Sequence, residues 1–279
     1  MENKIITDKA ILAFRESLIL EEKSQATIGK YLRDVRAFSI FIEKNPVTKN
    51  RLIQYKQFLV EKGYAVRSIN SMLASINGFL NYMGWQSCKV KNLKLQKSAY
   101  CTEEKELTKD EYLRLLAAAG QETRLRLLME TICGTGIRVS ELCYFTVEGV
   151  FSGEITVRCK NKTRTILLPR KLRSLLLDYA KKSGIISGTI FIAKNGKPLN
   201  RGTIWAQMKA LCKKAGVNPS KVFPHNLRKL FARTFYDIEK DIAKLADILG
   251  HSNINTTRIY IMTTGVEHRR KIESLGLVC

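Results

Sequence analysis

The chain has 279 residues, with 48 Lys plus Arg against 25 Asp plus Glu and a formal net charge of +23 at pH 7. Hydrophobic residues make up 45% of it, enough for buried cores, which excludes a disordered tail carrying a motif. So strong a basic excess asks for a polyanionic partner. Nucleic acid fits before a membrane surface: no run of about 18 apolar residues occurs, and no polybasic anchor or secretory signal is expected.

Residues 8 to 84 read as helices. A first covers roughly Asp8 to Glu22. Ser24 can cap a second, whose apolar positions Ile28, Tyr31, Leu32, Val35, Phe38 and Ile42 follow a period of about 3.6 residues. Lys30, Arg33 and Arg36 fall largely on its other faces and are the candidate DNA contacts of this region. Thr48 can cap a third helix, with Leu52, Tyr55, Phe58 and Leu59 inward and Gly63 as its stop. Ser68 opens a fourth, carrying Ile69, Met72, Leu73, Ile76, Phe79 and Leu80, and Gly84 ends it. Lys89 to Glu106 is polar, basic and aperiodic, and reads as a linker.

Thr108 with Glu111 forms a capping box that opens a second domain. Arg124 to Cys133 is helical and leads into G-T-G-I-R-V-S-E-L. Glu154 to Cys159 and Arg164 to Leu168 have strand character around K-N-K-T, a hairpin with a basic tip. Leu172 to Lys182 is helical, Thr189 to Ala193 a short strand, and K-N-G-K-P a turn. Helices follow from Gly202, from about Pro224 and from about Asp241. The fold class is mainly α with one small antiparallel sheet. The domains are a helical bundle over 1–95, a linker over 96–106 and a mixed domain over 107–279.

Several chemistries are missing. Gly134 and Gly136 begin a dinucleotide fingerprint, but Val139 occupies the third glycine position, and no phosphate-cradling P-loop exists. Asp237, Glu239 and Asp241 look like a loop and a helix start rather than a two-metal centre. The seven cysteines form no C-x-x-C pair, and only three histidines are present. No zinc, other metal or cofactor is therefore expected, and a reducing, cytoplasmic compartment is.

What remains is a set of basic and hydroxylated residues: Arg138 in R-V-S-E-L, His225 and Arg228 in H-N-L-R, His251 in L-G-H-S, and Tyr260 nine residues later. Singly each is weak; their order and spacing are specific. The chain resembles the tyrosine recombinases, or phage-integrase family, and within it the compact Xer-like members. That family pairs G-x-R-x-S-E-L with a hairpin lysine, H-x-L-R, L-G-H and a following tyrosine. The resemblance spans the whole chain. It implies a SAM-like core-binding domain at the N-terminus and a catalytic domain after it, forming a basic clamp on duplex DNA. It also implies specific recombination sites, a homotetramer on DNA with a possible paralogue or accessory DNA-bending proteins, and exchange through a Holliday junction.

The residues suit that chemistry. Charge builds on the non-bridging oxygens of a phosphodiester under attack. Arg138 and Arg228 can hold those oxygens with directional hydrogen bonds, and His251 can donate another. Tyr260 is the expected nucleophile and His225 the proton acceptor. A phosphotyrosyl ester conserves bond energy, so neither ATP nor metal is required. Glu141 orients or buffers Arg138, or is a plain helix-surface carboxylate. The chain departs from the pattern at Lys229, where many members have His, and in the hairpin, where C-K-N-K-T-R is one residue short. Matching from the left selects Lys160 as the lysine that protonates the leaving oxygen; matching from the right leaves Lys162 as a second, non-catalytic lysine. Spacing from Arg138 favours Lys160. The segment after Tyr260 is expected to pack on a neighbouring subunit, or to be a short amphipathic helix on its own domain. A type IB topoisomerase-like enzyme and a non-cutting DNA-binding regulator are the alternative readings.

Overall fold

The N-terminal helices begin where the sequence supplies caps. α1 (Asp8–Leu20), α2 (Gln25–Phe41) and α3 (Lys49–Glu61) are preceded by Thr7, Ser24 and Thr48, and each hydroxyl accepts from an amide in the first turn. α4 (Val66–Tyr82) differs from expectation. Its cap is Ala65, without a side-chain bond, and Ser68 lies inside the first turn. The Ala65 carbonyl already accepts from the Ser68 and Ile69 amides, at 2.8 and 3.0 Å, so Ser68 is helical rather than capping. The apolar stripes meet at Phe38, Leu52, Leu73, Ile76, Phe79 and Leu80, all fully buried. Gly63 and Gly84 take φ of 73° and 71° beyond the ends of α3 and α4, a conformation other residues adopt at a cost.

The computed structural model describes residues 4–94, 106–121, 123–159, 162–193, 195–262 and 265–276. The chain forms two units, Met1–Lys97 and Ser98–Cys279. The first part of the expected linker belongs to the first unit. Asn77 Nδ2 donates to the Val90 carbonyl at 3.0 Å, and Asn70 exchanges bonds with both backbone groups of Leu93. Residues 95–105 lie outside the described residues.

The second unit opens with α5 (Lys109–Ala119), where the Thr108–Glu111 capping box is formed in both directions. α6 (Arg124–Thr135) leads to a 3-10 turn, Val139–Tyr144, then α7 (Val147–Ser152). The strands β1 (Glu154–Cys159) and β2 (Lys162–Leu167) pair antiparallel, from Glu154 opposite Leu167 to Cys159 opposite Lys162. β2 thus starts two residues earlier than its sequence suggests, because the pairing register extends to the hairpin tip. α8 (Arg170–Lys182), α9 (Arg201–Ala210), α10 (Cys212–Ala215), α11 (Pro224–Glu239), α12 (Ile242–Leu249), α13 (Ile254–Tyr260) and α14 (Gly265–Glu273) follow.

Thr189 to Ala193 is not a strand. Among the described residues it makes only isolated bridges, Thr146 to Thr189 and Ile192 to Pro198. Its apolar character serves the core instead: Ile190 and Phe191 are buried beside Phe145. Asp241 caps α12, accepting from the Ala243 and Lys244 amides, while Asp237 and Glu239 pair with Lys240 and Lys244. Among the described residues no helix is long and apolar enough to cross a membrane.

Candidate active site

The site is assembled where α6, the 3-10 turn, α11, α12 and α13 meet. α6 ends at Gly136, whose φ of 64° turns the chain sharply. A Cβ here would collide with the Phe231 ring on α11, so the glycine permits the close approach of the two helices. The turn presents Arg138 at the head of the Val139–Tyr144 segment. Glu141, only 2% exposed, reaches back to it: Oε2 accepts from the Arg138 amide at 2.7 Å and Oε1 from Arg138 Nη1 at 3.0 Å. Glu141 is therefore a buried partner of Arg138, not a surface carboxylate. Burial pushes its carboxyl upward, but the Arg138 amide, Arg164 and the Arg138 side chain outweigh that and hold it below the usual range.

Pro224 begins α11, which suits the fixed φ of proline. The first turn carries His225, and one turn on Arg228 is almost completely buried, at 1% exposure. Arg228 is immobilised by backbone: it donates to the Gly136 carbonyl, and Nη2 donates to the Leu249 carbonyl at 2.7 Å. Nη2 also lies 3.0 Å from His251 Nε2. An arginine cannot accept a hydrogen bond, so Nε2 carries its lone pair here and Nδ1 the proton, which it gives to Thr257 Oγ1 at 2.9 Å. The Thr257 hydroxyl, fully buried on α13, can reverse its role and support the other tautomer. Arg228 Nε is buried without a hydrogen-bond partner among the described residues.

Tyr260 is the last residue of α13 and is 7% exposed. Its ring centroid is 5.0 Å from that of His225 and 5.1 Å from that of His251, with the Arg228 guanidinium 5.9 Å away. Burial, then Lys229, Arg228 and Arg138 lower the pKa of His225, against a smaller upward pull from Glu106. Burial followed by Arg228, Arg138 and Arg164 lowers that of His251 to about 4. Both imidazoles are therefore neutral near pH 7. Burial and Arg138 also bring Arg228 down to about 10, which leaves it cationic there. A cleft of about 920 Å³ opens along this face, lined by Arg138, His225, Arg228, Arg201, Trp205 and Lys209.

Residues 105–265 match the phage integrase family, and residues 11–87 match its N-terminal SAM-like domain. The chain belongs to the phage integrase family. This tyrosine recombinase is 31% identical to the tyrosine recombinase XerA of Pyrococcus furiosus, over 100% of this chain and 98% of the relative. It is similar to the crystal structure of a XerA recombinase, with a TM-score of 0.55 and 27% identity over 97% of this chain and 99% of that one. It also shares the fold of lambda integrase solved as a tetramer bound to a Holliday junction, with a TM-score of 0.72 and 21% identity, covering 92% of this chain and 77% of that one.

The recombinase brings Arg138, His225, Arg228, His251 and Tyr260 together from segments far apart in sequence. Lys160 lies outside the described residues, and Lys162 opens β2. In the N-terminal unit Arg33 and Arg36 are exposed, but the Lys30 ammonium is held internally by Asp34 at 2.6 Å, by the Ser71 carbonyl and by Ser75. Asp34 is 4% exposed and the Lys30 side chain 31%, so a half-buried lysine pairs with a buried carboxylate.

Two partners of the site escaped the sequence reading, Thr257 and Arg164. Arg164 stands two residues before the buried Ile166 and opposite the buried Val157. Strand alternation puts an arginine on the apolar face of the hairpin, a placement that calls for a buried carboxylate. That was the available signal.

Proposed function

We propose that this chain cuts and rejoins DNA at specific sites through a 3′-phosphotyrosyl link to Tyr260. The Tyr260 oxygen forms a bond to the scissile phosphorus as the bond to the 5′ oxygen breaks. His225, neutral by virtue of burial and its cationic neighbours, takes the phenolic proton. Arg138 and Arg228 hold the two non-bridging oxygens. Because Arg228 is fixed by two backbone carbonyls before any DNA arrives, little reorganisation is left for the reaction itself. His251 steadies Arg228, and in its other tautomer donates to the phosphate. A hairpin lysine, Lys160 by spacing from Arg138, gives the 5′ oxygen its proton, with Lys162 a phosphate contact. Rejoining is the reverse reaction, and the ester keeps the bond energy, so the cycle runs without ATP or metal.

One observation carries this reading: a buried tyrosine flanked by two neutral imidazoles at 5.0 and 5.1 Å, with a backbone-anchored arginine beside it. A non-cutting regulator has no use for that arrangement. Arg33 and Arg36 supply phosphate contacts from the helical unit. A homotetramer that exchanges strands through a Holliday junction is the assembly we infer. We assign contacts between protomers to the exposed Val266, Ile272 and Leu275 in and after α14. The free thiols of Cys88, Cys133, Cys143 and Cys212 suit a reducing cytoplasm.

The test is a nicked suicide substrate bearing the recombination site, run on a denaturing gel. A covalent protein–DNA band is expected, and Tyr260→Phe loses it while still shifting the DNA on a native gel. Tight, specific binding with no covalent band from the unaltered chain would replace this reading with the regulator. Relaxation of supercoiled DNA carrying no recombination site would favour the topoisomerase. Within the hairpin, Lys160→Ala slows cleavage far more than Lys162→Ala; equal small effects would reject the assignment of Lys160.

A further inference from the structure

Glu141 is one carboxylate shared by two arginines. Arg164 meets it as a fork, Nη1 to Oε1 at 3.1 Å and Nη2 to Oε2 at 2.8 Å, while Arg138 reaches the same two oxygens from its amide and Nη1. The arginines are not equivalent. The Arg164 side chain is 15% exposed and the Arg138 side chain 37%, so Arg164 is the inner partner, and Arg138 lines the cleft. Arg164 is also closely packed by its surroundings. Its guanidinium lies against Gly250, where a Cβ would come within 2.6 Å of Nη1, and its Nε is buried with no hydrogen-bond partner among the described residues. The Gly250 carbonyl in turn takes Arg138 Nη2 at 3.4 Å, one residue before His251.

We propose that Arg164 is a positioning residue for strand cleavage: it takes up the charge of Glu141, so that the guanidinium of Arg138 remains available to the phosphate. This rests on the recombinase reading above. With both arginines in place the group carries one net positive charge, held at the cleft by Arg138. Without the charge of Arg164, the buried carboxylate faces Arg138 alone. Attraction in a poorly solvated setting then draws that guanidinium inward and cancels its charge. The loss falls on the transition state, where phosphate charge builds, and not on the hold of the chain on DNA.

The full chain on the nicked suicide substrate supplies the test. Arg164→Gln, whose amide still reaches Glu141 but brings no charge, lowers the single-turnover cleavage rate about tenfold or more, with DNA binding in gel shifts kept within about twofold. Arg164→Lys retains the charge and loses less than about threefold. Adding Glu141→Gln to Arg164→Gln raises the rate about threefold or more above Arg164→Gln alone, because the carboxylate competing for Arg138 has lost its charge. A clasp that merely held the fold together would make the double variant no faster than Arg164→Gln. That outcome, or an unchanged rate in Arg164→Gln, overturns the proposal. Should Arg164→Gln not fold, Arg164→Lys decides it: a loss of tenfold with intact binding overturns it as well. No covalent band from the unaltered chain would instead remove the recombinase reading on which the proposal stands, so the two failures separate.

Discussion

The N-terminal unit closes over Phe38, Leu52, Leu73 and Phe79 and leaves Arg33 and Arg36 in water, whereas the C-terminal unit takes Arg228, Glu141 and Asn226 out of water at 1–2% exposure. On the proposed function, each arrangement suits a different task. A grip on phosphates works through exposed cations, which bind by releasing counterions and need no fixed geometry. Stabilising a charged transition state needs donors fixed in advance in a poorly solvated place, and a buried charge is tolerated only where partners satisfy it. Lys30 shows the boundary between the two. It belongs to the basic helix α2, yet its half-buried ammonium joins the buried Asp34 and Ser75 in a polar cluster of the first unit.

The sharpest way to break this contrast is Arg228→Lys. Lysine keeps the charge but cannot span the Gly136 and Leu249 carbonyls and His251 at once. Cleavage should fall by about 10²–10³-fold, and the second unit should lose about 2–3 kcal/mol in denaturant melts. A mild effect on both would mean that the buried fork is not the electrostatic centre of the site.

Within the first unit, Lys30→Met leaves the Asp34 carboxylate buried, with Ser75 and a longer contact to Arg33, and should cost about 2 kcal/mol of stability. Arg36→Ala should change stability by less than about 0.5 kcal/mol while weakening DNA binding and lowering its salt slope by about one. If Lys30→Met weakens binding as Arg36→Ala does and leaves stability alone, the ion pair is not the role of Lys30.

The smallest effect concerns pH. The folded pKa of His251 is lowered to about 4, against 6.5 for an ordinary imidazole. On acidification the unfolded chain binds the proton first. The stability gained by keeping the ring neutral is therefore present above pH 6.5 and lost as pH falls toward 4, and His225 moves in the same direction. The melting temperature should drop between pH 7 and 5, and His251→Gln should shrink that drop by about 2–4 °C. An identical drop in the variant would show that His251 is not held neutral by its surroundings.

Legibility in the sequence followed the same division. The helices of the first unit were readable because Ser24, Thr48 and the apolar stripes act locally. The one misread start, Ser68, failed because a backbone carbonyl took the place of the cap. In the second unit Ile190 and Phe191 looked like a strand, since local alternation does not reveal whether a neighbouring strand exists. Glu141 stayed ambiguous for a related reason: only the arrival of Arg164 from the hairpin makes it a buried ion-pair partner.

By itself the sequence determined the mainly helical class, the basic character and the capping box at Thr108, because composition, period and spacing are properties of the chain alone; its resemblance to the phage-integrase family singled out Arg138, His225, Arg228, His251 and Tyr260 as candidates. Tertiary structure decided the rest. It gave His251 its tautomer through Arg228 and Thr257, turned Lys30 toward Asp34, and made Gly136 necessary through Phe231. Burial and hydrogen-bond partnership arise only when distant segments meet, and no local pattern carries that information.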